Sequence, residues 1–221
     1  MAKKIGLTVF ILVIIIIMGV LIFVPFSKKW PESYTYDSIT GRSFNIDVID
    51  DYPGVTYHIV SFYAGALNST VRKQYAIPFE YSPLELEDIE VPNNLRDRIF
   101  MSKGIFITRD PSLTNKTGFL DVVAITTISR VTGSEKENLL PHILGIDTFS
   151  AIDRDDGSDR VVLTCENSTK TGRVILMKKG GENKIYYDEN NDYCVIMEFK
   201  KDRDMVKVAT RLVYSLIGVL P

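Results

Sequence analysis

The feature that most constrains this chain is an uncharged apolar run near its N-terminus, from Ile5 to Phe26. As an α-helix, these residues would extend about 33 Å, at a rise of about 1.5 Å per residue. That length matches the hydrocarbon core of a bilayer, which is about 30 Å thick. Because a segment in lipid must pair its own backbone N–H and C=O groups, we expect a single transmembrane helix over residues 5–26.

A cleaved secretory signal is the alternative interpretation of this run. Such a signal has an apolar stretch of about 7–15 residues, followed by small residues at the cleavage site. Here the run is longer and ends in bulky or cyclic residues, Phe23, Val24, Pro25 and Phe26. The sequence therefore favours a retained signal-anchor over a cleaved signal.

The basic residues that flank the run do not by themselves decide which end of the helix faces the cytoplasm. Lys3 and Lys4 on one side are matched by Lys28 and Lys29 on the other, and the positive-inside rule compares these two flanks. The α-amino group adds a cation to the short N-terminal side. We therefore expect a cytoplasmic N-terminus and an extracytoplasmic C-terminal domain at the cell membrane.

This orientation predicts four segments. Residues 1–4 are the cytoplasmic tip and residues 5–26 the transmembrane helix. Residues 27–43, which are polar and rich in Tyr, are expected to be a juxtamembrane stalk. Residues 44–221 are expected to form one extracytoplasmic domain, with a possible subdivision near residue 100.

The charge of the chain after the run limits its partners. Two of the 26 Lys and Arg precede the run, which leaves 24 against 28 Asp and Glu, a net charge of −4. A mildly acidic domain lacks the basic surface that binds nucleic acid, so we expect no nucleic-acid partner. Membrane lipid and other membrane or surface proteins are the expected partners.

The two cysteines predict a disulfide. Cys165 and Cys194 both lie in stretches typical of β-strands. Outside the cytoplasm such a pair is more often bonded than free, although two buried apolar thiols are the alternative. Neither cysteine has a C-x-x-C partner, so we expect no metal bound by them.

Three N-x-S/T sequons predict N-glycosylation at Asn68, Asn115 and Asn167. Each sequon lies between predicted secondary-structure elements, where a glycosyltransferase could reach the asparagine. The chain is therefore expected to be a glycoprotein.

Hydrophobic patterning predicts an α+β domain. A β-hairpin is expected over residues 44–63, a short helix over 94–100, a strand over 104–110 and a helix over 117–131. Many residues of the last segment are β-branched, which leaves a strand as the alternative there.

The C-terminal third predicts an antiparallel β-meander covered by an amphipathic helix. The strands are expected at Arg160–Cys165, Arg173–Lys178, Lys184–Tyr187 and Tyr193–Phe199, and the gaps between them are too short for parallel crossovers. The helix is expected over residues 203–217, with Asp202 as its N-cap and Gly218 after its end. One apolar face of this helix should pack on the meander.

No common catalytic motif occurs in the sequence. The signatures H-E-x-x-H, G-x-S-x-G, G-x-G-x-x-G and the Walker P-loop are all absent. The only histidines are His58, within a predicted strand, and His142, which follows a proline. A histidine within a strand is more often a core or surface residue than a catalytic one. We expect no catalytic residue and no cofactor.

Two acidic clusters are weak candidates for calcium. One contains Asp153 and Asp155, and the other contains Asp188 and Asp192. Calcium needs several oxygen ligands that converge in a flexible loop, but neither cluster has the EF-hand spacing. Solvated turn residues explain both clusters without a metal ion, and we favour that interpretation.

The layout resembles that of uncharacterised membrane-anchored surface proteins of archaea. The resemblance covers mainly residues 100–221 and includes the final DRDMVKVATRLVYSLIGVL segment. It implies an extracytoplasmic location and no catalytic residues. The KKIG tip before an apolar helix also resembles archaeal type IV pilin precursors, a resemblance that implies cleavage after Gly6.

These patterns favour a non-enzymatic accessory or interaction protein, either a glycosylated cell-surface protein or a subunit of a membrane-protein complex. A pilin-like filament subunit is one alternative. A calcium-dependent or carbohydrate-binding surface domain built on the acidic loops is another.

Overall fold

The computed structural model describes residues 32–51, 55–64, 73–110, 113, 119–133, 143–152 and 161–221. The predicted tip and the predicted transmembrane helix over residues 5–26 lie outside this part of the chain. Within it, no helix has the length and apolarity needed to cross a bilayer. Residues Ser33–Pro221 form one compact unit, which is not divided near residue 100.

The first quarter of the unit forms a four-stranded sheet in the order β1-β2-β3-β4. Its strands are β1 (Glu32–Asp37), β2 (Ser43–Asp51), β3 (Val55–Ala64) and β4 (Lys73–Phe79). The β2–β3 and β3–β4 pairs are antiparallel, with Val60 opposite both Ile46 and Ile77. These three side chains are buried on one face, as the alternation of a strand requires. The predicted hairpin over residues 44–63 is confirmed.

The predicted juxtamembrane stalk, residues 27–43, is β-sheet from residue 32 onward. Strand β1 precedes a turn in which the Ser38 N–H donates to the Arg42 carbonyl, and β2 follows at once. Tyr36, within this segment, is buried in the core. The alternation of aromatic and polar residues in ESYTYD therefore marks a strand with one buried face.

The second sheet has five strands in the order β6-β5-β7-β9-β8. They are β5 (Gly104–Arg109), β6 (Asp147–Ser150), β7 (Gly172–Lys179), β8 (Lys184–Tyr187) and β9 (Val195–Phe199). The β5–β6, β5–β7 and β7–β9 pairs are parallel, and only the β8–β9 pair is antiparallel. The α+β class is confirmed, with an antiparallel first sheet and a mixed second one.

The predicted C-terminal meander is wrong in its strand order. Strand β9 lies between β7 and β8, so the consecutive strands β7 and β8 are not neighbours. All five side chains of β9 are buried, whereas β8 is only partly buried. A mostly apolar strand gains most from a central position and a more polar one tolerates an edge, which explains this order.

The predicted strand Arg160–Cys165 is also wrong. Val162 makes one isolated bridge to Ile152, and Cys165–Asn167 form a 3₁₀ turn. Val161 and Val162 are exposed. The β-branched run at this point is extended chain on the surface.

The three described helices are α1 (Leu95–Phe100), α2 (Leu120–Thr132) and α3 (Asp204–Ile217), and all three were predicted. Gly218 ends α3 with a φ of 80°, as expected of a glycine after a helix. The predicted cap is wrong, because the Asp202 carboxylate accepts a hydrogen bond from Lys179 Nζ at 2.8 Å.

Helix α3 lies at the centre of the core. Thirteen of its 14 residues are buried, which is more than the single apolar face that the sequence predicts. It packs against α2 and β9, and the Tyr214 ring lies 4.8 Å from that of Phe79 in the first sheet. The helix is therefore shared by both sheets and is not simply a cover over one of them.

The disulfide between Cys165 and Cys194 is present, with a Cα–Cα distance of 5.2 Å and a sequence separation of 29. It joins the 3₁₀ turn to the residue before β9. The Asn191 side-chain amide reinforces this junction by donating to the carbonyls of Cys165 and Ser168.

Removing this disulfide is expected to destabilise the fold. Replacing both cysteines by serine should lower the free energy of unfolding by about 3 to 4 kcal/mol, because the bond closes a long loop in the unfolded state. Urea unfolding of both proteins measures the difference. Dithiothreitol should destabilise the wild type and leave the double variant unchanged; equal sensitivity would contradict the assignment.

The loop between β7 and β8 depends on a buried carboxylate. Glu198 of β9 accepts hydrogen bonds from the Gly181 N–H at 2.9 Å and the Tyr186 hydroxyl at 2.8 Å. A Cβ added to Gly180 would overlap this carboxylate, whereas one added to Gly181 would meet no atom within 4 Å.

Two neighbouring glycines should therefore respond differently to alanine. Gly180→Ala is expected to lower the free energy of unfolding by about 1 to 2 kcal/mol, because it displaces a buried acceptor from its donors. Gly181→Ala is the matched control and should change it by less than about 0.5 kcal/mol. Equal effects of the two substitutions in urea unfolding would show that Glu198 does not organise the loop.

Candidate functional site

A cleft of about 240 Å³ lies between the end of the first sheet and helices α2 and α3. Residues of β3, β4 and α3 form part of its lining, and α2 contributes a continuous face. The lining residues are Tyr57, Pro78, Phe79, Glu80, Phe119, Val122, Val123, Thr126, Thr127, Arg130, Val206 and Thr210. The cleft is thus built from three regions that are far apart in sequence.

The outer face of α2 exposes apolar side chains at the cleft. Phe119, just before the helix, is 72% exposed, and Val122 in its first turn is 47% exposed. Ala124 and Ile128 on the opposite side are fully buried. The cleft side of α2 is therefore apolar at the start of the helix, whereas Thr126, Thr127 and Arg130 make it polar farther along.

The cleft carries one charge of each sign. Arg130, in the last turn of α2, donates to the Pro78 carbonyl at a long distance of 3.4 Å, and Glu80 follows β4. Neither side chain has an ion-pair partner among the described residues. Both charges are thus available to a ligand.

A buried ion pair fixes the start of α2. The Arg109 guanidinium, at the end of β5, contacts the carboxylate of Asp121, which also accepts from the Val122 N–H at 2.9 Å. The Asp121 side chain is only 5% exposed. Because breaking a buried pair leaves an uncompensated charge, this contact holds the helix firmly beside the cleft.

The size and lining of the cleft limit what it can bind. Pockets for small molecules and cofactors typically measure about 300 to 1,000 Å³, more than the volume found here. Its exposed lining is about equally apolar and polar, the polar part including threonines and two charged side chains. It suits one or two apolar side chains of another protein better than a nucleotide or a prosthetic group.

Polar side chains also surround His58, which lies on the core face of β3. Its Nε2 lies 3.9 Å from Glu85, and its ring meets the Tyr34 ring edge-on at 6.4 Å between centroids. His58 Nδ1 and the Tyr34 hydroxyl are buried and have no hydrogen-bond partner in the described part of the chain. Burial lowers the pKa of His58, and Glu85 only partly opposes this.

The side chains around His58 are not arranged as a catalytic triad. The Ser82 hydroxyl donates to the Glu85 carboxylate at 2.9 Å and not to His58. A nucleophile needs the histidine as its base, so these contacts do not activate Ser82. The Ser82 N–H also donates to Glu85 at 2.8 Å, which makes the carboxylate part of a capping box.

In the second acidic cluster, Asp188 and Asp192 both form contacts within the protein. Asp188 Oδ1 accepts from the N–H groups of Asn190 and Asn191, and Asp192 pairs with Arg98 at 2.8 Å. Among the described residues no group of three or more His, Cys, Asp or Glu is placed to hold a metal ion. Asp153 and Asp155 lie outside the described residues, as does His142.

Of the three sequons, the structure describes only the last. Asn167 is exposed, in the 3₁₀ turn next to Cys165, and its Oδ1 accepts from Thr164. This position is accessible to a glycosyltransferase. Asn68 and Asn115 lie outside the described residues.

Sequence reasoning did not find the cleft, although one signal was present. The helix predicted over residues 117–131 carries Val122 and Ile125 away from its main apolar stripe. A helix with apolar side chains beyond one stripe is either buried on two sides or has an exposed apolar face. Only the structure shows that β4 and α3 lie beside that face.

The environment of His58 predicts a pH dependence of stability. Its pKa in the folded state lies below 6.5, so the unfolded state binds more protons between these two pKa values. The contribution of His58 to the free energy of unfolding is therefore fully present above pH 6.5 and is lost as the pH falls below that value. Tm of the wild type should drop between pH 7.5 and 5.5, and His58→Gln should reduce this drop.

His142 provides a matched control, because the chain contains only two histidines. His142→Gln should preserve the wild-type dependence of Tm on pH. If His58→Gln retains the full drop, the pH dependence does not arise from the buried histidine.

No protein family model, no characterised protein and no solved structure shows significant similarity to this chain. The resemblance seen in residues 100–221 therefore remains an expectation. The fold and the cleft are the observations on which a proposal of function rests.

Proposed function

We propose that this chain is a non-enzymatic accessory subunit, held at the cell membrane by residues 5–26, whose extracytoplasmic domain docks a partner protein in the cleft beside α2. The single observation that carries the proposal is the pair of exposed apolar side chains at the start of α2, Phe119 and Val122, beside the cleft. Exposed apolar surface of this kind is typical of interaction sites.

Several features support the proposed location. The uncharged run is long enough to span a bilayer. The disulfide is typical of proteins that fold in an oxidising compartment, and Asn167 presents an exposed sequon. In this proposal the N-terminus is cytoplasmic, and the folded unit from Ser33 onward is extracytoplasmic.

The cleft suggests the chemistry of the partner. Its apolar lining fits a protruding aliphatic or aromatic side chain, which would pack between Val122 and Phe79. Arg130 favours an acidic residue on the docked segment, and Glu80 favours a basic one. The occupant we propose is therefore a surface segment of a membrane protein in which an apolar residue is accompanied by charges of both signs.

The proposal predicts that one substitution in the cleft removes the partner. The full-length chain is extracted from its own membranes in a mild detergent, and the complex is weighed by native mass spectrometry. Wild type should bring a stoichiometric partner with it. Val122→Asp should reduce the recovered complex at least tenfold, because the new carboxylate would be buried against apolar groups without a partner.

Ile39→Asp is the matched control. Ile39 is 80% exposed in the turn between β1 and β2 and does not line the cleft. This variant should retain the partner, and both variants should keep the wild-type Tm. A complex that survives Val122→Asp, or a chain recovered alone, would refute docking at the cleft.

The intact mass from the same sample tests the anchor. A mass that includes Met1 and residues 5–26 agrees with a retained signal-anchor. An N-terminus at Leu7 and assembly only with copies of itself would instead support a pilin-like filament subunit.

A further inference from the structure

Three parts of the fold meet at the C-terminal end of α3. They are the turn between β1 and β2, which carries Arg42; helix α1, which carries Arg96; and Gly218, which ends α3. Arg96 Nη1 lies 3.0 Å and Arg42 Nη1 lies 3.7 Å from the point that a Cβ on Gly218 would occupy. The two nitrogens are therefore at most 6.7 Å apart, the sum of those distances.

Neither guanidinium is neutralised by a carboxylate. In the described part of the chain, Arg42 and Arg96 take part in no ion pair, and neither side chain donates a hydrogen bond. Arg96 stacks on the Phe100 ring, 5.1 Å from its centroid. Burial and the neighbouring charge of Arg42 lower the pKa of Arg96, and the adjacent Asp97 opposes them more weakly.

The end of the helix does not balance these charges. The C-terminus of an α-helix is equivalent to about half a negative charge, whereas two guanidinium groups carry two positive ones. The fold thus holds two cations close together. Arg42 is exposed and Arg96 is only partly buried, so their N–H groups face the solvent, where both charges would attract an anion.

Arg211 shows what a purely structural arginine looks like in the same fold. It is buried, and its nitrogens donate to the Ile89 carbonyl, the Ser215 hydroxyl and the Pro221 backbone oxygen. All three nitrogens have acceptors within the protein. The guanidinium groups of Arg42 and Arg96 differ from that of Arg211 in being open to the solvent and therefore to an external anion.

We propose that Arg42 and Arg96 form a binding site for a phosphate group over Gly218. The planar guanidinium fork matches the oxygens of phosphate and donates two parallel hydrogen bonds to it. A side chain at position 218 would occupy the space between the two arginines, so glycine keeps it open as well as ending the helix. The phosphate could be a free anion or the headgroup of an anionic phospholipid, since both present the same oxygens.

Thermal unfolding of the purified full-length chain in a neutral detergent tests the site. Inorganic phosphate is titrated at constant ionic strength, with chloride as the balancing anion. In a separate series, the micelles are doped with dihexanoyl phosphatidylglycerol or, as the neutral control, with dihexanoyl phosphatidylcholine. A saturable rise in Tm of about 3 °C is expected at ten times the dissociation constant.

Arg42→Gln and Arg96→Gln should each reduce this rise at least threefold. Both variants are expected to fold, because each relieves the repulsion between like charges. Arg203→Gln is the matched control, since Arg203 is exposed and lies before α3, at the end opposite Gly218. It should leave the rise unchanged.

The source of the phosphate follows from the series that responds. A rise with inorganic phosphate supports a site for the free anion, and a rise with phosphatidylglycerol alone supports a lipid headgroup. The proposal is overturned if the wild type responds to neither, or if its response persists in both Arg42→Gln and Arg96→Gln.

Discussion

The rest of the structure depends on the burial of helix α3 between two sheets. A helix buried on nearly all sides must satisfy each of its polar groups within the protein. Arg211 is the most demanding of these, and burial lowers its pKa to about 10. The Ile89 and Pro221 backbone oxygens accept from it, so the segment before α1 and the chain after Gly218 are both drawn onto the helix. Tyr214 likewise donates to the Tyr81 carbonyl at 2.8 Å, which links α3 to the chain that leaves the first sheet.

The cleft and the paired arginines are both consequences of this central helix. Helix α3 packs against both sheets, and α2 does not cover it completely, since Val206 and Thr210 of α3 line the cleft. The Arg109–Asp121 contact fixes α2 at its start, and its far side, with Val122, is left beside the open end of β4. At the other end of α3, the chain leaves the core through Gly218, where Arg42 of the β1–β2 turn and Arg96 of helix α1 approach it.

Most elements could be predicted from the sequence, because their patterns are local. Periodicity and turn residues were sufficient to predict the hairpin over residues 44–63 and the three helices. The expected compartment was sufficient to predict the Cys165–Cys194 bond. The order of the second sheet could not be predicted, since it depends on which strand gains most from a central position. Strand β9 gains more than β8 because all of its side chains can be buried. The stalk was predicted in place of strand β1 because a short segment in which Tyr alternates with polar residues looks the same in a connector as in a strand.

The candidate sites were harder to predict, because each is defined by relations between distant residues. Arg42, Arg96, Arg173 and Arg211 are indistinguishable in the sequence. In the structure, Arg173 donates to the Arg98 and Tyr193 carbonyls, and Arg211 is equally well supplied with acceptors. Buried cations that have internal acceptors hold the fold together and need no ligand. Arg42 and Arg96 lie close together and are open to the solvent, which is the arrangement that an anion site requires.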